Sequence, residues 1–199
     1  MFDKNVFINC PFDEGYTPLL KALLFTIKKG GLSPRLALER WDSGEVRLNK
    51  IRELIELSQY SIHDLSRLKA KQADEYSRMN MPFELGLDYG CRIYHEEDRY
   101  KQKKFLLLEE EQYSTQKALS DLSFADCKCH KGKVENLVYA VRSWFVECNI
   151  TMPSVTVIWD DYNFFCSDLY EQKAKERFSQ QDIDRLPISE VLKYMDSYC

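Results

Sequence analysis

Short apolar runs alternate with amphipathic segments along the first 150 residues of the chain. The runs have the length and composition of buried strands, and they lie at 4–10, 32–38, 60–64, 105–108 and 124–130. Between them, apolar residues recur every three or four positions, which is typical of a helix with one buried face. These amphipathic segments lie at 18–29, 45–57, 82–94, 114–122 and 134–148. The alternation predicts an α/β fold: a parallel sheet of four to five strands with helices on both faces, as in a three-layer flavodoxin-like or Rossmann-like sandwich.

Local signals refine the starts of two helices. Ser43 precedes the second amphipathic segment and is a candidate N-cap. Pro82 suits the first position of the third helix, where its missing N–H is not needed. Glu84 then falls in the first turn, where a carboxylate stabilises the helix dipole. A structural role for Glu84 therefore stands beside any chemical one.

The last fifty residues continue the helical pattern beyond the sheet-forming region. Ile158, Tyr162, Phe165 and Leu169 recur at helical spacing, and the segment 188–198 forms a closing helix. This part is too short to bury a core of its own. We therefore expect an α/β domain over residues 1–150 and a helical extension over 151–199 that packs on it.

Composition narrows the class of protein. The net charge is −4, from 28 basic and 32 acidic residues, whereas a dedicated DNA- or RNA-binding protein usually has a basic excess. We find neither a signal peptide nor an apolar run long enough for a membrane span. The seven cysteines are odd in number and irregularly spaced. Together these features predict a cytoplasmic protein with free thiols, without nucleic-acid or membrane partners.

Several familiar motifs are missing from the sequence. There is no G-x-G-x-x-G, no P-loop and no G-x-S-x-G, so the sequence does not support dinucleotide redox chemistry, ordinary NTP hydrolysis or α/β-hydrolase chemistry. Cys127, Cys129 and His130 could supply three zinc ligands, but the sequence offers no second cluster to complete the site. We predict no metal site.

Candidate binding residues cluster where parallel strands end. Ligands of open parallel sheets bind at the carboxyl ends of the strands, and three polar segments of this chain meet there. Two cations from the second strand and the second helix lie nearby. The candidate substrate-binding residues are Asn9, Cys10, Pro11, Phe12, Asp13, Arg35, Arg47, His63, Asp64, Ser66, Asn80 and Met81.

Glu84 is the candidate catalytic residue. Gly86 and Gly90 weaken its helix but open space for a ligand or another backbone. A partly desolvated carboxylate at this position can act as a nucleophile or stabilise an oxocarbenium-like sugar. Cys10 is a second potential nucleophile, but a buried structural thiol is the more common role for such a residue.

Three segments resemble a known group of proteins. These are VFINCPFDEGY after the first strand, YSIHDLSR at the third strand and NMPFELGLDYG at the third helix. Together they resemble the TIR-like and nucleoside 2-deoxyribosyltransferase-like proteins. In that group a G-P-F-like loop follows the first strand, and an E-L-G motif carries the catalytic glutamate. Residues 10–12 match the former and residues 84–86 the latter, over a resemblance that spans roughly residues 4–150.

The resemblance implies a flavodoxin-like fold and cleavage of an N-glycosidic bond. Bacterial TIR-like proteins commonly serve antiphage defence, as in Thoeris systems, by splitting NAD into nicotinamide and an ADP-ribose product. That product is hydrolysed, cyclised or conjugated and acts as a signal. On this hypothesis NAD is the substrate and no cofactor is needed. A homo-oligomer and a downstream effector protein are the implied partners.

The same hypothesis assigns roles to individual side chains. Glu84 acts on the ribose attached to nicotinamide, and Phe12 stacks on the ligand. Arg35 or Arg47 contacts the pyrophosphate, while Asp64 and Asn80 hold ribose hydroxyls.

Two alternatives remain open at the level of the sequence. One is deoxyribosyl transfer or hydrolysis of a modified nucleotide, which shares the glutamate but needs a smaller pocket. The other is a nucleotide-sensing or self-assembling binding module without turnover. The polar loop at 66–80 and the helical extension have no counterpart in the short TIR pattern.

Overall fold

A five-stranded, all-parallel sheet forms the centre of the protein. The computed structural model describes residues 1–39, 42–70, 79–122 and 126–199. The strands are β1 (Asn5–Asn9), β2 (Ser33–Arg35), β3 (Tyr60–Asp64), β4 (Lys104–Glu109) and β5 (Cys127–Cys129). They lie in the order β2-β1-β3-β4-β5. The predicted α/β class and parallel sheet are confirmed.

Nine α-helices surround this sheet within the described ranges. They are α1 (Thr17–Lys29), α2 (Arg47–Glu56), α3 (Asn80–Tyr94), α4 (Asp98–Lys101), α5 (Ser114–Ala118), α6 (Val134–Glu147), α7 (Val155–Lys175), α8 (Gln180–Asp184) and α9 (Ile188–Met195). No helix in the described part of the chain is long and apolar enough to cross a membrane.

The sheet is buried on both faces because its side chains alternate between two cores. Val6 and Ile8 of β1 pack with the apolar residues of α1 and α6. Phe7 points to the other face and packs with α2, while Leu87 of α3 adds to that cluster. This period of two gives the sheet two buried faces, and helices cover both, which produces the three layers.

The helical extension joins the larger of these cores. Tyr162, Phe165 and Leu169 are buried, as their spacing predicts, and they belong to the same apolar cluster as α1. The ring of Phe25 on α1 lies 5.4 Å from that of Phe165 and 5.5 Å from that of Tyr162. Residues on both sides of position 150 therefore share one core.

Two predicted helix starts are wrong. Helix α2 begins at Arg47 after Val46, without a side-chain cap, so Ser43 is not its N-cap. The preceding residues instead form a turn in which Asp42 accepts the Gly44 N–H at 2.9 Å. Helix α3 begins at Asn80 rather than Pro82.

The earlier start of α3 changes the position of its glutamate. Pro82 becomes the third helical residue, which is tolerated because the first N–H groups of a helix have no partner within it. Glu84 consequently lies in the second turn, and the first turn of α3 holds no acidic residue. The capping and dipole role considered for Glu84 therefore does not apply.

Some predicted segments fall partly outside the described residues. This is true of residues 71–78 in the predicted 66–80 loop and of residues 123–125 in the predicted fifth strand. The described part of that strand is β5, which pairs with the last three residues of β4.

A line of buried polar side chains joins α3 to the sheet. The Asn9 amide nitrogen donates to the Met81 carbonyl at 2.8 Å and lies 3.0 Å from His63 Nδ1. Because an amide nitrogen only donates, His63 Nδ1 accepts, and the ring proton is on Nε2. That Nε2 lies 3.1 Å from Asp88 Oδ2 on α3. One tautomer of His63 thus satisfies both of its neighbours.

Lys103 is the last member of this line of polar side chains, and it lies near the other carboxylate oxygen of Asp88. Its ammonium nitrogen lies 3.1 Å from Asp88 Oδ1, with both side chains fully buried. It also donates to the carbonyl oxygens of Ile55, at 2.8 Å, and of Ser58. Burial alone would raise the pKa of Asp88, but His63 and Lys103 outweigh it and hold that pKa below its ordinary value.

We expect Lys103→Met to lower the free energy of unfolding by ~3–5 kcal/mol, because it leaves the buried Asp88 carboxylate without its cation. Lys101→Met is the matched control. Lys101 is 61% exposed and pairs with the exposed Asp98, so its loss should cost less than ~0.5 kcal/mol. Urea denaturation at pH 7 measures both. A loss below ~1 kcal/mol for Lys103→Met would contradict the importance given to this ion pair.

Candidate active site

The strand order defines the crevice in which a ligand would bind. β1 and β3 are neighbours in the sheet, but the chain continues from β1 to β2 on one side and from β3 to β4 on the other. The loops that follow β1 and β3 therefore diverge and leave a crevice between them. The start of α3 joins them, since the Asn9 amide of β1 donates to the Met81 carbonyl. The three segments predicted to meet at this edge do so.

Glu84 presents a carboxylate at this edge that is mostly removed from water. Its side chain is 8% exposed, and its Oε1 lies 3.4 Å from the Arg47 guanidinium, which is 55% exposed. Burial raises the pKa of Glu84 above its ordinary value, and the charge of Arg47 offsets part of the rise. The ionised Glu84 carboxylate is therefore disfavoured by burial, and the cation that contacts it, Arg47, is exposed and 3.4 Å away. Carboxylates at functional sites commonly have such perturbed environments.

Asp64 has the opposite environment. Its carboxylate is fully buried and accepts from the Tyr16 hydroxyl at 2.5 Å, the Ser66 N–H at 2.9 Å and the Ser66 hydroxyl. His130 Nε2 lies 3.0 Å from its Oδ2. Burial would raise the pKa of Asp64, but these donors hold it below its ordinary value. Internal donors occupy both oxygens of Asp64, so a ribose hydroxyl would have to compete with them.

The grouping of Ser66, His130 and Asp64 does not form a nucleophilic triad. The Gly132 N–H donates to His130 Nδ1 at 3.0 Å, so the ring proton is on Nε2. That proton faces Asp64 Oδ2, and Ser66 Oγ also lies 3.0 Å from the same nitrogen. A protonated nitrogen cannot act as a base toward Ser66. The hydrogen bonds of this cluster instead hold the loop after β3 against the residue that follows β5.

His130 is thus used by this cluster rather than by a metal. Its neighbour Cys129 directs its thiol to the Glu110 carbonyl at 3.1 Å. Among the described residues, no group of three or more histidine, cysteine, aspartate or glutamate side chains could hold a metal ion. All seven cysteines are free, as their number and spacing predict.

The loop after β1 contributes mainly packing. Cys10 is 2% exposed, and burial, together with the charges of Asp64 and Glu84, raises the pKa of its thiol well above the ordinary value. This favours the buried structural thiol over the nucleophile. Pro11 is buried, and Phe12 is half-buried against the larger core.

The remaining predicted residues are divided between the site and its surroundings. Arg35 is held by Glu39, with Nη2 2.6 Å from Oε1 and Nε 2.9 Å from the same oxygen, so it is less available than Arg47. Asn80 is exposed at the start of α3, whereas Met81 is buried and acts through its carbonyl. His63 is fully buried and positions α3 rather than facing solvent.

Asp13 forms an ion pair with Arg67, which was not among the predicted binding residues. Its Oδ2 lies 3.4 Å from Nε of Arg67, in the loop after β3. Arg67 follows Asp64 by three residues, so its place just beyond the end of a strand was the available sequence signal. Its partners could not be read from the sequence, because they come from other loops.

The space beside Gly86 opens away from Glu84. A methyl group at position 86 would meet nothing within 4 Å. Gly86 instead lines an apolar cavity of about 500 Å³ between α3, β4 and α6, with Leu85, Tyr89 and Trp144. Glu84 is not part of that lining. The predicted gap along the helix is present, but it does not lead to the candidate catalytic carboxylate.

We expect Glu84→Gln to raise the free energy of unfolding at pH 7, because it removes a charge that burial disfavours. Since the folded state raises the pKa of Glu84 above its ordinary value of 4.5, the penalty is present above the folded pKa and vanishes as the pH falls below 4.5. Urea denaturation at pH 7 and pH 4 measures the difference. Glu171→Gln, at an exposed position of α7, should change stability little at either pH. A less stable Glu84→Gln at pH 7 would contradict the prediction.

Comparison with known proteins gives no relative from which these roles could be transferred. No protein-family model matches the chain, and neither a curated protein nor a solved structure matches it. The roles of Glu84, Arg47 and Arg67 consequently depend on where these side chains lie in this chain.

Proposed function

We propose that the protein cleaves the N-glycosidic bond between nicotinamide and ribose in NAD, with Glu84 as the catalytic carboxylate. The observation that carries the proposal is the placement of Glu84. A carboxylate that is 8% exposed stands at the carboxyl edge of the two central strands, outside the first helical turn. The E-L-G resemblance gives the same residue the catalytic role.

The reaction needs a buried negative charge more than it needs an acid. The bond between ribose C1′ and the ring nitrogen breaks, and its electron pair neutralises the nicotinamide ring. The ribose is left as an oxocarbenium-like cation, which the Glu84 carboxylate stabilises or attacks. A water oxygen then bonds to C1′ and loses a proton, which gives ADP-ribose. If a hydroxyl of the substrate or of an acceptor takes the place of water, the product is cyclic or conjugated.

Substrate binding can break the contact between Arg47 and Glu84. The guanidinium is the exposed member of the pair, and its 3.4 Å contact with Glu84 is longer than a strong ionic hydrogen bond. A nucleotide phosphate is a better bidentate partner for arginine than this carboxylate. On substrate binding Arg47 turns to the phosphate, and Glu84 loses the charge that stabilised it beside the ribose. The positive charge of the nicotinamide ring then partly neutralises the negative charge of the Glu84 carboxylate.

We expect the purified protein to release nicotinamide from NAD, and Glu84→Gln to lower the rate by at least ~100-fold, because the amide cannot stabilise a ribosyl cation. Chromatography with mass detection measures both products. The mass of the second product distinguishes hydrolysis, cyclisation and conjugation. Assays at low and high protein concentration show whether self-association is needed.

Glu171→Gln is the control, since it removes an exposed carboxylate far along the chain from the site. Equal nicotinamide release by Glu84→Gln and the wild type would exclude Glu84 as the catalytic residue. Base release from deoxynucleosides but not from NAD would favour deoxyribosyl chemistry. Nucleotide binding without any product would favour a sensing module and overturn the proposed enzyme.

A further inference from the structure

We propose that Arg67 binds a phosphate group of the substrate and that Glu110 occupies this position when no ligand is bound. The inference rests on the proposed function for the identity of the nucleotide. It adds a substrate requirement, because it assigns recognition to the phosphate rather than to the base or the sugar.

Arg67 lies at the centre of the crevice that the strand order defines. Its Nε is 3.4 Å from Asp13 Oδ2, and its Nη1 is 2.8 Å from Glu110 Oε2. Asp13 follows β1, Arg67 follows β3 and Glu110 follows β4. A single guanidinium therefore joins the loops of three adjacent strands at their carboxyl ends, where nucleotides bind in folds of this strand order.

The exposure of the three side chains identifies the partner that a ligand can replace. Arg67 is 19% exposed and Asp13 28%, whereas Glu110 is 40% exposed. Glu110 contacts the guanidinium through Oε2 and is the most exposed of the three side chains. Phosphate carries more charge and matches the arginine fork, so it can replace the carboxylate while Asp13 keeps the guanidinium in place.

Two glycines leave room beside this ion pair. A methyl group at position 15 would lie 3.3 Å from Asp13 Oδ1 and 3.8 Å from Arg67 Nη2. A methyl group at position 132 would lie 3.1 Å from Glu110 Oε1, and the positive φ of Gly132 disfavours any other residue. A side chain at either position would therefore crowd the carboxylates that hold Arg67.

A cavity of about 290 Å³ adjoins Arg67 and is lined by a second cation, Lys69. Ser66, Lys69 and Ser114 line it, together with Glu110. Lys69 pairs with the exposed Glu111, so both cations of this cavity are matched by carboxylates that a ligand could displace. Two cations beside one small cavity favour an anionic ligand.

Both proposed functions lie near the end of β1. The charges of Glu84 and Asp13 both contribute to raising the pKa of the Cys10 thiol, so both carboxylates lie close to this residue. Asp13 holds Arg67, and Glu84 faces Arg47. A dinucleotide bound across the loop after β1 would place ribose near Glu84 and phosphate near Arg67.

Calorimetric titration of the full chain with ADP-ribose, adenosine and inorganic pyrophosphate tests the assignment without requiring turnover. We expect Arg67→Ala to weaken ADP-ribose and pyrophosphate binding by ~10-fold or more and to leave adenosine binding unchanged. Arg52→Ala is the matched control, because Arg52 is 65% exposed and pairs with Glu56 on the surface of α2. It should change none of the three affinities.

Glu110→Gln distinguishes a phosphate site from a purely structural ion pair between Arg67 and Glu110. It removes the competing charge and should tighten pyrophosphate and ADP-ribose binding several-fold, although it weakens the link between the loops. If Arg67→Ala fails to fold, Arg67→Lys provides the substitute, with an intermediate loss of affinity. Unchanged affinity in Arg67→Lys and in Glu110→Gln would overturn the proposal.

Failure of this proposal can be distinguished from failure of the proposed function. Nicotinamide release that depends on Glu84 but keeps its KM for NAD in Arg67→Ala would exclude Arg67 and leave the activity intact. ADP-ribose binding that depends on Arg67 without any nicotinamide release would keep the phosphate site and overturn the activity. A wild-type protein that binds neither pyrophosphate nor ADP-ribose at millimolar concentration would exclude the phosphate site.

Discussion

The position of α3 depends on the buried ion pair between Asp88 and Lys103. A charge in the protein interior is tolerated only with well-placed partners, and His63 and two backbone carbonyls complete the set. These partners come from β3, α2 and the segment before β4, so they fix α3 against three elements at once. Glu84 precedes Asp88 by one helical turn and lies on the same face of the helix. The contact that anchors Asp88 therefore also orients Glu84.

Two carboxylates at the carboxyl edge show how environment separates structure from chemistry. Asp64 is surrounded by donors that lower its pKa, so its charge stabilises the fold at neutral pH. Glu84 is also buried, but its charged partner is the half-exposed Arg47, and its pKa is raised. Ionised Glu84 thus reduces the stability of the folded state. Such a cost is expected at a functional site and out of place in a structural one.

The layers of the fold could be predicted because they depend on short-range pattern. The strand 60–64 was predicted with its observed ends, and its Tyr60 and Ile62 alternate with polar residues as in a strand. Helix starts were less predictable. Ser43 has the chemistry of an N-cap and Pro82 that of a first helical residue, yet α2 begins later and α3 earlier. Side-chain preference alone therefore does not fix where a helix starts.

The sequence by itself determined the alternation of strands and helices, the burial of the helical extension and the candidate status of Glu84. Only the tertiary structure decided which polar side chains are used internally. His130 approaches Asp64 from 66 positions away, and Lys103 reaches Asp88 across the end of a different strand. Such pairings follow from the register of neighbouring strands and the docking of α3. Hydrophobic periodicity records which face of an element is buried, but it contains no information about which buried polar group will stand opposite another.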